Sequence, residues 1–223
     1  MADTRIPKKE WSVPIRINHW AMVISILVLI VTGFYIAYPF TVFSGETVDK
    51  FLMGDMRFYH ILFGILLVFI GIWRCYLALF SRFHADWKDF FAWVDLKNML
   101  QQIKFYLLLT RKPPEHKFLY GPLQSLAYGG CMLMLFGIIV TGVILTGACY
   151  HAGLIGWAYK LLKPVETLLG GLAMVRIIHH ILTWLFILFG GVHLYMAFWY
   201  DAVFQEGTVS SMIGGRVFRK AHH

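Results

Sequence analysis

Histidines are the residues of this chain best suited to chemistry: there are ten in 223 residues, and a neutral imidazole is the commonest metal ligand in proteins. His19, His60, His179, His180 and His193 stand in or at the mouths of long apolar runs, where an ionisable group is costly enough to suggest a function. His84, His116 and His151 lie in the more polar connections and are not expected to bind a metal. Fourteen residues separate His179 from His193. On a helix that places them within roughly 40° of one another on one face, about 21 Å apart along the axis. His180 is turned about 140° from the direction of His193. Arg16, Arg57 and Arg176 each precede one of these histidines by three residues, and Arg74 follows His60 by fourteen. Paired imidazoles can hold a metal between them, and a guanidinium one turn away suits an anionic group on the same ligand.

The elements that must position these groups follow from composition. With 59% hydrophobic and 14% charged residues, the chain cannot furnish the charged surface of a soluble domain. A cytosolic enzyme, a nucleic-acid-binding module and a disordered chain are therefore poor readings of the net charge of +8. Four apolar runs, approximately 17–38, 59–80, 123–148 and 177–199, are long enough to cross a bilayer. The expected fold is an all-α integral membrane protein: one domain over 1–223, built as a four-transmembrane-helix bundle. The aromatic and charged segment from Trp87 to Leu109 suggests an interfacial helix between spans two and three, and Tyr150 to Val175 a short amphipathic excursion. The amino-terminal segment, second loop and tail hold fourteen Lys and Arg, against five in the first and third loops. Positive loops stay inside, so both termini are expected in the cytoplasm of a bacterial cell, the chain being multi-pass in the inner membrane. Cys75, Cys131 and Cys149 form no CxxC or CxxCH motif, which disfavours disulfide staples, thiolate clusters and covalent haem.

This topology sorts the histidines by depth. His60 and His179 fall at the outer level, His19 and His193 at the inner level. A histidine alone at a span end is ordinarily a polar anchor. Four that pair by both face and depth point to bis-histidine ligation of two haems, an arrangement that carries electrons across a membrane. Arg16, Arg57, Arg74 and Arg176 are candidates for the haem propionates, with Arg74 deepest in its run; snorkelling to the headgroups is the simpler role of the other three. Gly64 and Gly190 could lie near the haems. Quinone reduction needs protons as well as electrons. Glu115, His116, Tyr120 and Gln124, at the inner mouth of the third span, supply donors and a relay for a quinone site.

Two segments resemble the b-type cytochrome subunit of membrane-bound nickel-iron hydrogenases, a family close to the cytochrome b561 and formate dehydrogenase gamma-like proteins. Arg16 to Gly33, RINHWAMVISILVLIVTG, is similar to that family's first signature, with Ala21 where a larger aliphatic is usual. Arg176 to His193, RIIHHILTWLFILFGGVH, is similar to the second, with Ile177 in place of a small residue. The resemblance implies two b haems, one on His60 with His179 and one on His19 with His193. It further implies periplasmic small (iron-sulfur) and large (nickel-iron) hydrogenase subunits as partners, and a membrane quinone, menaquinone or ubiquinone, as acceptor. The hydrogenase chemistry would belong to those partners. A cytochrome b subunit of a formate dehydrogenase or related quinone-linked oxidoreductase is the nearest alternative. A transporter or assembly factor using histidines as proton or metal sites is the alternative from another class.

Overall fold

The computed structural model describes residues 5–39, 51–80, 95–110 and 122–220. In chain order the elements are β1 (Arg5–Lys9), α1 (Val13–Ala37), α2 (Leu52–Phe80), α3 (Leu96–Tyr106), α4 (Pro122–Gly147), α5 (Gly153–Leu168), α6 (Leu172–Phe204), α7 (Thr208–Gly214) and β2 (Arg216–Lys220). Helices α1, α2, α4 and α6 are long and apolar enough to cross a membrane, and in hydrocarbon a spanning segment must satisfy its backbone hydrogen bonds internally. All four run past the apolar stretches at one end or both. Hydropathy marks the part of a helix that lipid tolerates, whereas the helix itself ends where the backbone changes course. At the entry to α6 that change is Gly170 and Gly171, at φ +94° and +89°, a conformation that favours glycine.

The chain divides into two compact units. One gathers the described residues of His19–Trp73 and Met134–Leu185, and in it all four spans meet. Thr32 of α1 bonds His60 of α2, Thr141 of α4 bonds His179 of α6, and the rings of His60 and His179 meet at an angle with centres 6.3 Å apart. Phe34 of α1 packs edge-on against Trp184 of α6, ring centres 5.2 Å apart. The expected four-helix architecture is present. Helix α5 lies within the segment read as an amphipathic excursion. Leu154, Trp157, Leu161 and Leu168 are exposed along one face of it, while Gly156 and Glu166 are buried on the other.

The second unit holds the described residues of Met1–Asn18, Arg74–Leu133 and Phe186–His223. Here α3 occupies part of the segment expected to form a helix between spans two and three. It is capped by Asp95, whose side chain accepts from the Asn98 N–H, and it buries Asn98, Gln102 and Phe105. Gln102 Oε1 accepts from the Leu123 N–H at the start of α4, and the Tyr195 hydroxyl donates to the Tyr106 carbonyl. Burial pushes the Tyr106 hydroxyl up to about 12. The all-helical reading missed the two-stranded ribbon, in which β1 pairs antiparallel with β2 from Arg5 opposite Lys220 to Lys9 opposite Arg216. Its strands, RIPKK and RVFRK, carry little of the apolar alternation that marks a strand in sequence. Residues 5–9 and 216–220 thus lie side by side.

Candidate functional site

The imidazoles of His60 on α2 and His179 on α6 stand with ring centres 6.3 Å apart and planes at 67°. The Nδ1 of each meets a threonine hydroxyl: Thr32 Oγ1 at 2.9 Å from His60, Thr141 Oγ1 at 2.8 Å from His179. Each hydroxyl has one proton, and each places it on a carbonyl one turn back, Val28 at 2.7 Å for Thr32 and Gly137 at 2.8 Å for Thr141. The oxygen can then only accept from the ring. With the hydroxyl proton on the carbonyl, each histidine would carry its own proton on Nδ1 and keep the Nε2 lone pair for a metal. Two metal–nitrogen bonds of about 2 Å, together with about 1.1 Å from each ring centre to its nitrogen, span the observed 6.3 Å.

Among the described residues, no three His, Cys, Asp or Glu gather as a metal cluster. Two imidazoles are few for a bare ion, but they suffice for an iron that brings four nitrogens of its own in a macrocycle. The backbone permits close approach on both sides. A Cβ at Gly33 would stand 3.1 Å from His60 Cε1, and one at Gly142 3.5 Å from His179 Cε1. A Cβ at Gly64 or Gly190 would meet nothing within 4 Å, so open space adjoins each.

His19 and His193 lie on α1 and α6, in different units. The His19 ring sits edge-on to Trp20 at 5.4 Å, and His193 stacks with Phe189 at 5.9 Å. Arg16 donates through Nη1 to the Ile213 carbonyl, while its Nε is buried with no hydrogen-bond partner. Arg74 Nη1 is likewise buried without a partner. Arg57 and Arg176 are exposed. Gln124 is in the first turn of α4, half-buried. Glu115, His116 and Tyr120 lie outside the described residues.

The sequence reading passed over Thr32 and Thr141, yet a signal for them is present. The tetrapeptide Ile-Val-Thr-Gly occurs twice, at 30–33 and 139–142, and each copy delivers a hydroxyl to a histidine and a glycine beside the same ring. Within a single span, a threonine bonding its own helix backbone is unremarkable. Its relation to a histidine on another helix emerges only when the helices pack.

A second polar cluster in this unit lies on α5, outside the spans. Glu166, only 5% exposed, accepts from Lys163 Nζ and from the Tyr159 hydroxyl, both at 2.8 Å. The hydrogen bond from Lys163 holds the Glu166 carboxyl below its ordinary range, and the same bond raises Lys163. Tyr159 in turn rests on Gly147 at the end of α4, where a Cβ would come within 2.4 Å of the tyrosine Cβ.

Residues 10–215 match the family described as prokaryotic cytochrome b561. A protein of Azotobacter vinelandii named as a probable Ni/Fe-hydrogenase B-type cytochrome subunit is 32% identical over 94% of this chain and 88% of its own length. A protein of Rhizobium leguminosarum bv. viciae bearing the same name is 31% identical over 94% and 88%. One of Escherichia coli (strain K12), named as a probable Ni/Fe-hydrogenase 1 B-type cytochrome subunit, is 28% identical over 96% and 92%. With four apolar helices and a match over nearly its whole length, the chain belongs to the prokaryotic cytochrome b561 family, as a multi-pass b-type cytochrome of the bacterial inner membrane.

Proposed function

We propose that this chain is the b-type cytochrome subunit of a membrane-bound nickel-iron hydrogenase, holding two b haems and delivering electrons from periplasmic hydrogen oxidation to a membrane quinone. The observation that carries the reading is the facing pair of His60 and His179, at a separation that fits one iron and with both Nδ1 atoms committed to threonines. The names of the relatives support the hydrogenase as partner. When bound, the haems would supply one-electron iron couples.

In this reading His60 and His179 offer Nε2 to one iron, and His19 and His193 serve the other; the second pairing rests on their spacing in the sequence. Arg74 is the strongest of the four propionate candidates, because a buried guanidinium nitrogen without a partner calls for an anion. Arg16, Arg57 and Arg176 would meet propionates nearer the span ends. Gln124, with Glu115, His116 and Tyr120, would bind the quinone and bring protons to it. The iron-sulfur and nickel-iron subunits would dock on the periplasmic face, where cations are few.

The test is haem stoichiometry and reduced-minus-oxidised spectra of the purified membrane complex, followed by reduction with hydrogen. Two b haems per chain, both reduced by hydrogen in membranes that keep the partner enzyme, are expected. Absence of b-type absorption would favour a histidine-based transporter or assembly factor. Haems reduced by formate but not by hydrogen would assign the chain to the formate dehydrogenase alternative.

A further inference from the structure

We infer that Thr32 and Thr141 are positioning residues that act through the two imidazoles on the electron affinity of the iron between them; this rests on the reading of His60 and His179 as haem ligands. Both threonines are almost fully buried, at 5% and 3% exposure, and both present the same geometry. In each case the hydroxyl proton is directed to a carbonyl of its own helix, at 2.7 Å from Val28 and 2.8 Å from Gly137. The oxygen lone pair is directed to Nδ1 of a histidine on the neighbouring helix, at 2.9 Å and 2.8 Å. A hydroxyl free to rotate could donate or accept. A hydroxyl already engaged as a donor can only accept, so the ring must carry its proton on Nδ1.

Two consequences follow. In this arrangement the tautomer would be set before any ligand arrives, with Nε2 unprotonated on both rings. The Nδ1–H donates into an acceptor that is itself polarised by its carbonyl bond, which pushes electron density through the imidazole and makes it a stronger donor at Nε2. A stronger axial donor stabilises ferric iron more than ferrous and lowers the reduction potential. Because both ligands carry the same device, the effect acts from both sides of one iron. The potential of the haem held by His60 and His179 would thus be tuned by two hydroxyls that act through its ligands.

The experiment is potentiometric titration of the purified holo-complex carrying Thr32→Val or Thr141→Val, which keep shape and remove the hydroxyl, with Thr→Ser at each position as rescue. Each Val variant should keep both haems and shift the potential of the His60/His179 haem upward while leaving the other haem in place. The double variant should shift it further, and the Ser variants should return it toward the starting value. Pulsed EPR of the unmutated ferric protein provides a reading that needs no variant to fold: the remote imidazole nitrogens of this haem should show the quadrupole coupling of a hydrogen-bonded Nδ1–H. Val variants with both haems and unmoved potentials, or remote nitrogens without hydrogen bonds, would overturn the inference. His60→Ala and His179→Ala separate the two levels. If they lose one haem while the Val variants change nothing, only the threonine role falls; if they keep both haems, the ligand assignment falls and the threonine role with it.

Discussion

At the scale of the residue, the deciding feature is a pair of imidazoles, each meeting a buried threonine hydroxyl through Nδ1, set one metal's breadth apart. Replacing His60 or His179 by alanine should therefore remove one haem and leave the other, read as half the b-type absorption per chain. His180→Ala should keep both, because the next residue along a helix is turned by about 100°. Loss of a haem in that variant would show that the ligand faces were wrongly assigned. Arg74 gives a second prediction. Its Nη1 is buried without a partner, and a cation beside a propionate favours reduction by offsetting the added negative charge. Arg74→Gln should lower the potential of the His19/His193 haem by about 60 mV, the equivalent of tenfold in a one-electron equilibrium. An unchanged potential with both haems present would remove Arg74 from that site. The histidines and arginines were legible in the sequence because charge inside an apolar run is conspicuous. Thr32 and Thr141 were not, because a hydroxyl in a membrane helix is ordinary until the helix facing it is known.

At the scale of the element, the spans were visible as apolar runs, but two features depended on interactions that no local pattern records. The terminal ribbon is held by pairing across the whole chain, from Arg5 to Lys220, with the Glu10 N–H donating to the Gly215 carbonyl at 2.9 Å. Helix α5 could be anticipated as amphipathic, but it turns Glu166 inward, bonded by Lys163 and Tyr159, and several of its leucines outward. That inversion has a pH signature. Glu166 is lowered by its partner, so its contribution is full above the ordinary carboxylate range and is lost as the pH falls through its depressed folded value. Lys163 is raised, so its contribution is full below the ordinary lysine range and is lost as the pH rises through the higher folded value. Helix α5 should therefore stay seated across neutral pH and loosen at acid and strongly alkaline pH, as measured by hydrogen exchange of its amides. Glu166→Gln should abolish the acid limb. Gly147→Ala should unseat α5 at every pH, at a cost of about 1–3 kcal/mol, because its Cβ would come within 2.4 Å of that of Tyr159. Unaltered exchange in that variant would show that Tyr159 can move aside.

At the scale of the whole molecule, hydrogen oxidation on one side of the membrane and quinone reduction on the other would require the chain to receive electrons at one face and protons at the opposite one. By the distribution of cations, fourteen against five, both termini and the loop between α2 and α4 are expected in the cytoplasm, and quinone reduction would consume protons that this side can supply. Gln124 stands in the first turn of α4, beside Leu123, whose N–H is held by Gln102 of α3. A side-chain amide at this position offers both a donor and an acceptor to a quinone oxygen, and the imidazole of His116, in the connection leading into α4, is the candidate proton donor. The measurement compares two activities in the same membranes: reduction of benzyl viologen by hydrogen, which needs the partner enzyme alone, and reduction of quinone, which needs the whole path. Gln124→Ala and His116→Ala should leave the first unchanged and lower the second, by roughly the 10²-fold or more typical of a lost proton-transfer group for His116 and by less for Gln124. Full quinone reduction in both variants, with both haems present, would move the quinone site to the opposite face, where Tyr150 and His151 follow the end of α4.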